Sequence, residues 1–274
     1  MSPKVSVIIP AYNAAQFIEA TVRGVVSQTY KDWELLIVNN GSTDDTARIL
    51  SRLESEFKDP RIRIITNATV LPACENWNAA IQQTQCEFLK LVCADDIPTR
   101  DCLERQVKIL STHPEVVLTT GARVIINGEG KQLFIRRGIR REGLYSGKEL
   151  SRLCVLAGTN IIGDPVHVLW RRSAMEKVGP FDPQTRYSSD VEYWLRLLTV
   201  GDGYCDSAPV GYYRIHGTAD SAGHWKATRH WFLQIARKQI EAGHIDVSEF
   251  QMHLVRARSY MLGMARQLIY RFLG

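Results

Sequence analysis

Residues 5–46 read VSVIIPAYNAAQFIEATVRGVVSQTYKDWELLIVNNGSTDDT. Two short runs rich in Val, Ile and Leu, Val5–Pro10 and Trp33–Val38, flank a segment with helical character, Ala14–Gln28. Apolar runs of this length are typical of strands that are buried on both faces of a parallel sheet. The stretch therefore predicts a strand–helix–strand unit.

The same alternation continues along the first third of the chain. Further strands are predicted at Arg61–Thr66 and Glu87–Val92, and further helices at Thr43–Phe57 and Ala73–Gln83. Strands that alternate with helices through short connections indicate a doubly wound α/β fold. We therefore expect a mostly parallel sheet flanked by helices.

The pattern changes after Pro114. A strand is predicted at Val116–Thr120, followed by a hairpin at Val124–Phe134 that turns at Asn127-Gly128-Glu129-Gly130. Shorter elements are expected downstream, with helices at Gly147–Ala157, Ser173–Val178 and Asp190–Val200 and strands at Val166–Arg171 and Pro209–Ile215. Two helices, Trp225–Ala242 and Ser248–Phe272, are predicted to end the chain. The chain is accordingly divided into a domain at 1–221 and a basic amphipathic helical extension at 222–274.

The composition is that of a soluble globular protein. Of 274 residues, 45% are apolar and 23% are charged, which excludes wholesale disorder and collagen-like repeats. The six cysteines form no C-x-x-C pair, which argues against a zinc knuckle or a redox motif. Because the sequence shows no secretory signal, reduced thiols and a cytoplasmic location are expected.

The net charge of +5 comes from the C-terminal region. Residues 226–274 hold eight Lys and Arg against three acids, an excess equal to that of the whole chain. The last predicted helix has an apolar stripe and no acid after Glu249. Two explanations fit: a peripheral contact of 248–272 with the inner face of an anionic membrane, or packing on the sheet domain or a partner helix. Nucleic acid is not an expected partner, since no nucleic-acid-binding module is recognised.

Polar groups follow three of the predicted strands. Pro10-Ala11-Tyr12-Asn13 follows the first strand, Asn39-Asn40-Gly41-Ser42 the second, and Cys93-Ala94-Asp95-Asp96 the fourth. Ligands of open α/β sheets bind beyond the carboxyl ends of the strands, so these groups are expected to line one crevice. An aromatic face, amides and paired carboxylates suit a base, a ribose and a metal-bound diphosphate. No glycine-rich phosphate loop is present, so a divalent cation on Asp95-Asp96 is the predicted means of holding phosphate.

Five motifs in this order resemble those of the inverting family 2 glycosyltransferases, which have the GT-A fold. They are VSVIIPAYN at 5–13, QTYKDWELLIVNNGSTDDT at 28–46, ADDIP at 94–98, GDPVHVLWRRSAMEKVGPFDPQTRYSSDVEYWLRL at 163–197 and YYRIHG at 212–217. The resemblance implies a GT-A (Rossmann-like) sheet. It also implies metal-dependent, inverting transfer of a sugar from a nucleotide-diphosphate donor to a hydroxyl of a glycan or lipid-linked acceptor, in surface polysaccharide biosynthesis.

The resemblance also implies roles for individual residues. Asp190 falls where the family places its catalytic base, and Asn39 where an aspartate commonly reads the base edge, so a preference for uracil is not implied. Cys93 replaces a further acid and is expected to be a small buried residue. The implied nucleotide-sugar-binding residues are Pro10, Ala11, Tyr12, which would stack on the base, Asn39, Asp95 and Gly163, and the implied ligands of Mg²⁺ or Mn²⁺ are Asp96 and His216.

Two further alternatives remain open at the level of sequence. The chain could be a non-catalytic relative that binds nucleotide-sugars or scaffolds an assembly. The arginine cluster Arg136-Arg137 and Arg140-Arg141 is either a solvated loop or a site for a phosphate or an acidic glycan.

Overall fold

A computed structural model describes residues 4–185, 187–217 and 223–273 of the chain. Within these ranges, ten strands form one mixed sheet, and nine helices accompany it. The strands are β1 (Val5–Ala11), β2 (Trp33–Asn39), β3 (Ile62–Thr66), β4 (Phe88–Leu91), β5 (Ile97–Pro98), β6 (Val116–Ile126), β7 (Gln132–Arg136), β8 (Gly143–Tyr145), β9 (Leu169–Arg171) and β10 (Asp202–Arg214). The helices are α1 (Ile18–Val26), α2 (Thr46–Phe57), α3 (Ala73–Gln82), α4 (Cys102–Thr112), α5 (Gly147–Ala157), α6 (Arg172–Val178), α7 (Ser189–Leu197), α8 (Trp225–Glu241) and α9 (Glu249–Leu273).

The first half of the sheet has the predicted parallel arrangement. Strands β3, β2, β1 and β4 lie side by side in that order, and each neighbouring pair is parallel. The order continues through β9, β6, β10 and β5, with β7 paired to β6 and β8 paired to β10. Because β9 runs antiparallel to both β4 and β6, the whole sheet is mixed.

The apolar runs are buried on both faces of the sheet, as their composition predicts. Along β1, Ile8 packs into one hydrophobic cluster, while its neighbours Val7 and Ile9 pack into the cluster on the other face. Burying such a side chain contributes about 1.5–3 kcal/mol, so these runs supply much of the free energy that holds the sheet together. The carboxyl ends of β1, β2 and β4 are thereby fixed at one edge.

Several predicted elements differ from those observed: β10 begins at Asp202 rather than at Pro209, and α1 begins at Ile18 rather than at Ala14. The separate strand Val116–Thr120 and the first arm of the hairpin are one continuous strand, β6. Gly121 lies within this strand and allows close packing against β10, because a Cβ at this position would lie 2.6 Å from Cγ1 of Val210. The predicted strand Val166–Arg171 is shorter, since a 3₁₀ turn at Pro165–His167 precedes β9.

One face of the last helix packs on the rest of the molecule. Met252 and Val255 of α9 are buried, and Arg258 donates a hydrogen bond of 2.7 Å to the carbonyl of Leu156 in α5. The predicted domain boundary at 221 and 222 lies outside the described residues. No helix in the described part of the chain combines the length and apolar character needed to cross a membrane.

Candidate active site

The loops after β1 and β2 are tied together by side-chain hydrogen bonds. The Asn13 N–H donates to Oγ of Ser42 at 3.0 Å, and Oδ1 of Asn13 accepts from the Thr43 N–H at 2.8 Å. Asn13 has a φ of 47°, a left-handed conformation that asparagine adopts more readily than most residues. Its neighbour Tyr12 is 52% exposed, so the structure presents this ring to solvent at the carboxyl edge of the sheet.

The remaining predicted nucleotide-site residues on β1 and β2 lie in register. Pro10 is opposite Val38 and Ala11 is opposite Asn39, which is buried. Oδ1 of Asn39 accepts a hydrogen bond of 3.2 Å from the Ser42 N–H. The structure thus brings Pro10, Ala11 and Asn39 together at the strand ends, where Tyr12 follows Ala11 in the chain.

Asn40 has a structural function that its neighbour does not share. Its Nδ2 donates to the carbonyl of Leu71 at 2.8 Å, and its Oδ1 accepts from the Leu71 N–H at 3.0 Å and from Nδ2 of Asn67 at 2.8 Å. A carboxylate could not donate to the Leu71 carbonyl. The amide at this position therefore anchors the loop that follows β3.

The acidic pair after β4 forms a compact polar group. Ligand atoms of Cys93, Asp95 and Asp96 lie within 4.8 Å of one another. Asp96 is 2% exposed, and burial together with the charge of Asp95 raises its pKa well above the usual value. Burial also raises the pKa of the Cys93 thiol, which therefore stays protonated. The group is thus two carboxyl groups beside a neutral thiol.

The end of β10 closes over this pair. The Arg214 N–H donates to Oδ1 of Asp96 at 3.0 Å, and Nε of Arg214 donates to the carbonyl of Asp95 at 2.9 Å. Nε2 of His216 lies 3.0 Å from Oδ2 of Asp95. The ring of Phe17 supports both side chains, with the His216 ring centroid at 4.6 Å and the Arg214 guanidinium at 4.8 Å. The structure therefore brings Asp95, Asp96 and His216 together.

Asp190 lies in the first turn of α7 and keeps a raised pKa. Burial raises the pKa of its carboxyl to about 6, and the negative charge of Asp164 adds to the effect. Two hydrogen bonds oppose this rise: the Val191 N–H donates to Oδ1 at 2.7 Å, and Nδ2 of Asn160 donates to Oδ2 at 2.8 Å. Such a group is ionised at neutral pH and is still a better base than an ordinary aspartate.

Gly163 shapes the loop that faces Asp190. Its N–H donates to Oδ1 of Asn160 at 2.9 Å, and its carbonyl accepts from Nε1 of Trp194 at 2.8 Å. Its φ is +148°, and a Cβ would lie 2.9 Å from Cβ of His167. Only glycine meets both conditions without strain. Gly163 thus holds Asn160 in place, while its predicted contact with the nucleotide-sugar stays a prediction.

Three residues that sequence reasoning did not single out complete the site: Arg123, Asn160 and Asp164. Arg123 pairs with Asp164 at 3.1 Å and donates to the carbonyl of Asn160 at 2.9 Å. Burial acts to raise the pKa of Asp164, but the positive charges around it, that of Arg123 foremost, together outweigh burial and lower the pKa. One signal was available in the sequence, because Arg123 is a charged residue within the apolar run of β6.

The Asp95-Asp96 pair and the Asp190 carboxylate share one polar region. The charge of Asp164 raises the pKa of both Asp96 and Asp190. The pKa of Cys93 is in turn raised by the carboxylates of the acidic pair, by Asp164 and by Asp190. An exposed aromatic ring, an acid pair of which Asp96 is buried, and a separate basic carboxylate therefore lie at the carboxyl edge of a doubly wound sheet. This arrangement suits a group-transfer enzyme with a nucleotide substrate.

Comparison with known proteins agrees with this class. A sequence profile described as "Glycosyl transferase family 2" matches residues 6–179. The "Putative teichuronic acid biosynthesis glycosyltransferase TuaG" of Bacillus subtilis (strain 168) is 30% identical over 235 residues, covering 84% of this chain and 87% of that protein. The chain therefore belongs to glycosyl transferase family 2.

A further relative and a solved structure extend the comparison. The "UDP-Glc:alpha-D-GlcNAc-diphosphoundecaprenol beta-1,3-glucosyltransferase WfaP" of Escherichia coli is 29% identical over 223 residues, which cover 81% of each chain. The structure of the "Mannosyltransferase PcManGT from Pyrobaculum calidifontis in complex with GDP-Man and Mn2+" has a TM-score of 0.64 at 17% identity and covers 99% of this chain and 74% of that one. The fold is the GT-A fold that the sequence motifs imply.

Proposed function

We propose that the chain transfers a sugar, with inversion at the anomeric carbon, from a nucleoside-diphosphate donor to a hydroxyl of a glycan or lipid-linked acceptor. The observation that carries the proposal is the basic Asp190 carboxylate, with a pKa of about 6, in the polar region of the Asp95-Asp96 pair. The names of TuaG and WfaP support surface polysaccharide biosynthesis as the setting, since they specify teichuronic acid and a diphosphoundecaprenol acceptor.

Asp190 is the proposed catalytic base. The acceptor O–H gives its proton to the Asp190 carboxylate as its oxygen attacks the anomeric carbon. The bond from that carbon to the diphosphate oxygen breaks on the opposite face, and the nucleoside diphosphate leaves with the bonding electrons. A pKa of about 6 suits this step, because the base is ionised at pH 7 yet accepts a proton readily.

The donor nucleoside is proposed to bind at the ends of β1 and β2. The exposed ring of Tyr12 offers a face for stacking on the base, with Pro10 and Ala11 beside it. Since Oδ1 of Asn39 accepts from the Ser42 N–H, Nδ2 of Asn39 is the group proposed to contact the base. The similar proteins are named with UDP-glucose and with GDP-mannose, so uracil and guanine are the two bases to be tested.

The acid pair fits a divalent cation. Asp96 is a buried carboxylate beside a second carboxylate, an arrangement whose electrostatic cost a cation would offset. We propose that Asp96, Asp95 and His216 hold Mg²⁺ or Mn²⁺. Carboxylate oxygens suit Mg²⁺, and the imidazole favours Mn²⁺, the ion in the PcManGT complex. When bound, such an ion stabilises the negative charge that develops on the departing diphosphate.

We also propose that α9 contacts the inner face of the membrane. Its outward face exposes large apolar side chains: Phe250, Leu254, Tyr260, Met261, Leu262, Met264 and Leu268. This stripe lies on a helix that has no acid after Glu249 and carries four arginines. An apolar face on a helix with a net positive charge matches an anionic bilayer, where a lipid-linked acceptor would be found. The protein would then be cytoplasmic and peripheral.

The test is the substitution Asp190→Asn. Release of nucleoside diphosphate from UDP-glucose and GDP-mannose is measured with Mn²⁺ and a cell-envelope lipid extract as acceptor. Turnover should fall about 10²–10⁴-fold, the usual contribution of a general base, while donor affinity stays within about twofold. Glu192→Gln is the control, since it removes an acid of α7 that pairs with Arg196 and should keep full turnover.

Two outcomes would contradict the proposal. Full turnover in the Asp190→Asn protein would remove this residue from the mechanism. Donor binding by the wild-type protein without turnover on any acceptor fraction would favour the alternative, a non-catalytic relative that binds nucleotide-sugars or scaffolds an assembly.

A further inference from the structure

Two arginines face each other across the β6–β7 hairpin. Arg123 and Arg136 are directly opposite residues of this antiparallel pair. Opposite residues project from the same face of a sheet, with Cβ atoms about 4.5–5.5 Å apart, and like charges in this position destabilise the pair. An anion beside the two side chains would offset this cost.

The two guanidiniums have different surroundings. Arg123 pairs with the carboxylate of Asp164 at 3.1 Å. Arg136 is half-buried, and no described residue accepts a hydrogen bond from its guanidinium. Burial lowers the pKa of Arg136 to about 10, and the positive charge of Arg123 contributes. Arg136 is still a cation at neutral pH, and it is available to a ligand.

A third guanidinium comes from α9. Arg266 donates a hydrogen bond of 3.2 Å to Oη of Tyr213, which in turn lies 2.8 Å from Oη of Tyr270. Its charge acts on Asp164 and on Arg136. The positive charges of Arg123, Arg136 and Arg266, which come from three elements, all lower the pKa of the Asp164 carboxyl, so positive charge is in excess in this region.

This region adjoins the proposed base rather than the acid pair. Arg123 donates to the carbonyl of Asn160, and the side chain of Asn160 donates to Asp190. The position therefore fits a group carried by the acceptor, not the diphosphate of the donor.

We infer that Arg136 and Arg266 form a subsite for a phosphate ester carried by the acceptor. The inference rests on the proposed transferase function and specifies its acceptor class. The planar fork of a guanidinium binds two phosphate oxygens at once, and two such forks hold a phosphate or diphosphate in one orientation. A phosphate held there would present a nearby acceptor hydroxyl to Asp190. The phosphate belongs either to a lipid diphosphate or to a phosphorylated glycan.

The experiment measures phosphate-ester binding by isothermal titration calorimetry in EDTA, which keeps a cation from holding the probe at the acid pair. The probes are farnesyl diphosphate for the lipid source and N-acetylglucosamine 1-phosphate for the glycan source, with farnesol and N-acetylglucosamine as phosphate-free controls. Arg136→Gln should weaken binding of the preferred ester about 10–100-fold, as loss of a charged hydrogen-bond donor does. Arg137→Gln, an exposed neighbour, should have no effect. Arg136→Lys, which keeps the charge, should restore part of the affinity.

Three results would overturn the inference. The first is that wild type and Arg136→Gln bind both esters with the same affinity. The second is that wild type binds neither ester. The third is that Arg136→Gln loses as much affinity for UDP or GDP with Mn²⁺ as it loses for the ester. Turnover assays separate the two proposals. If the protein binds the ester through Arg136 but shows no turnover, the subsite stands and the proposed transferase function is refuted. If the protein shows turnover but does not bind the ester, only the subsite is refuted.

Discussion

Nδ2 of Asn160 lies 2.8 Å from Oδ2 of Asp190 and donates a hydrogen bond to it. The same amide is held by Gly163, whose N–H donates to Oδ1 and whose carbonyl accepts from Nδ2, both at 2.9 Å. Asn160 therefore fixes the direction in which the Asp190 carboxylate points. It acts through Asp190 and is a positioning residue.

Asn160→Ala should lower kcat about 10–100-fold and leave the donor KM unchanged, because a misplaced base slows the chemical step. The hydrogen bond from Asn160 also lowers the pKa of Asp190, so its loss should move the acidic limb of the pH–rate profile to higher pH. Steady-state kinetics from pH 5 to 8 measure both effects. Asn78→Ala, which removes an amide bonded to the backbone of Phe181, is the control. A profile identical to wild type would refute the positioning role.

The pH dependence of the wild-type enzyme follows from the raised pKa of Asp190, which burial causes. The base must be ionised, so kcat/KM should rise with pH and level off above the pKa of about 6. At pH 5 the rate should be roughly one tenth of the plateau, since one pH unit below the pKa leaves about a tenth of the base ionised. A flat profile between pH 5 and 7 would be incompatible with Asp190 as the base.

Asp96→Asn should separate stability from cation binding. Burial raises the pKa of Asp96, so the folded state favours the protonated acid, and stability is lost as pH rises and the carboxylate ionises. A neutral asparagine avoids this loss, and in EDTA at pH 7 the melting temperature should rise by about 2–4 °C, as roughly 1 kcal/mol produces in domains of this size.

Stabilisation of the same variant by UDP or GDP with Mn²⁺ should disappear. Differential scanning fluorimetry measures both effects, and Asp45→Asn, an exposed acid paired with Arg48, should change neither. Retention of the Mn²⁺-dependent shift in Asp96→Asn would show that this carboxylate does not hold the ion.

Gly163→Ala should destabilise the protein by about 1–3 kcal/mol, because alanine is strained at a φ of +148° and its Cβ would lie 2.9 Å from Cβ of His167. Urea unfolding at pH 7 measures the loss. Gly217→Ala is the matched control, since a Cβ there would have no atom of the described residues within 4 Å apart from its chain neighbours. Equal unfolding midpoints for the two variants would mean that Gly163 is not needed for the geometry of this loop.

The membrane proposal is tested by replacing two exposed residues of α9, Met261 and Leu268, with glutamine. Wild type should float with phosphatidylglycerol vesicles and not with phosphatidylcholine vesicles, and the double variant should bind about tenfold less, because two apolar side chains no longer enter the bilayer. Val70→Gln with Leu144→Gln, exposed apolar residues outside α9, is the control. Equal flotation of all three proteins would exclude α9 as the contact. A dimer that dissociates in the α9 variant would instead identify a partner helix as the occupant.

Local patterns predicted the elements well where the pattern was long or bounded by capping residues. Helix α5 has the predicted bounds, and Ser146 accepts a hydrogen bond from the Glu149 N–H at its start. The helix α4 was not predicted, and β5 and β8 are only two and three residues long, too short for a periodic signal. The antiparallel direction of β9 could not be predicted either, because parallel and antiparallel strands can have the same apolar sequence pattern.

The sequence by itself determined the alternation of strands and helices and the residues at the strand ends, because hydrophobic period and strand-end position are local properties. Only the tertiary structure decided which distant groups meet: His216 lies against Asp95 across 121 residues of chain, and Arg123 pairs with Asp164 across 41. Such contacts depend on strand order and on the path of each connection, which no local pattern encodes. The raised pKa of Asp190 belongs to the same class, since burial and neighbouring charges exist only once the chain has folded.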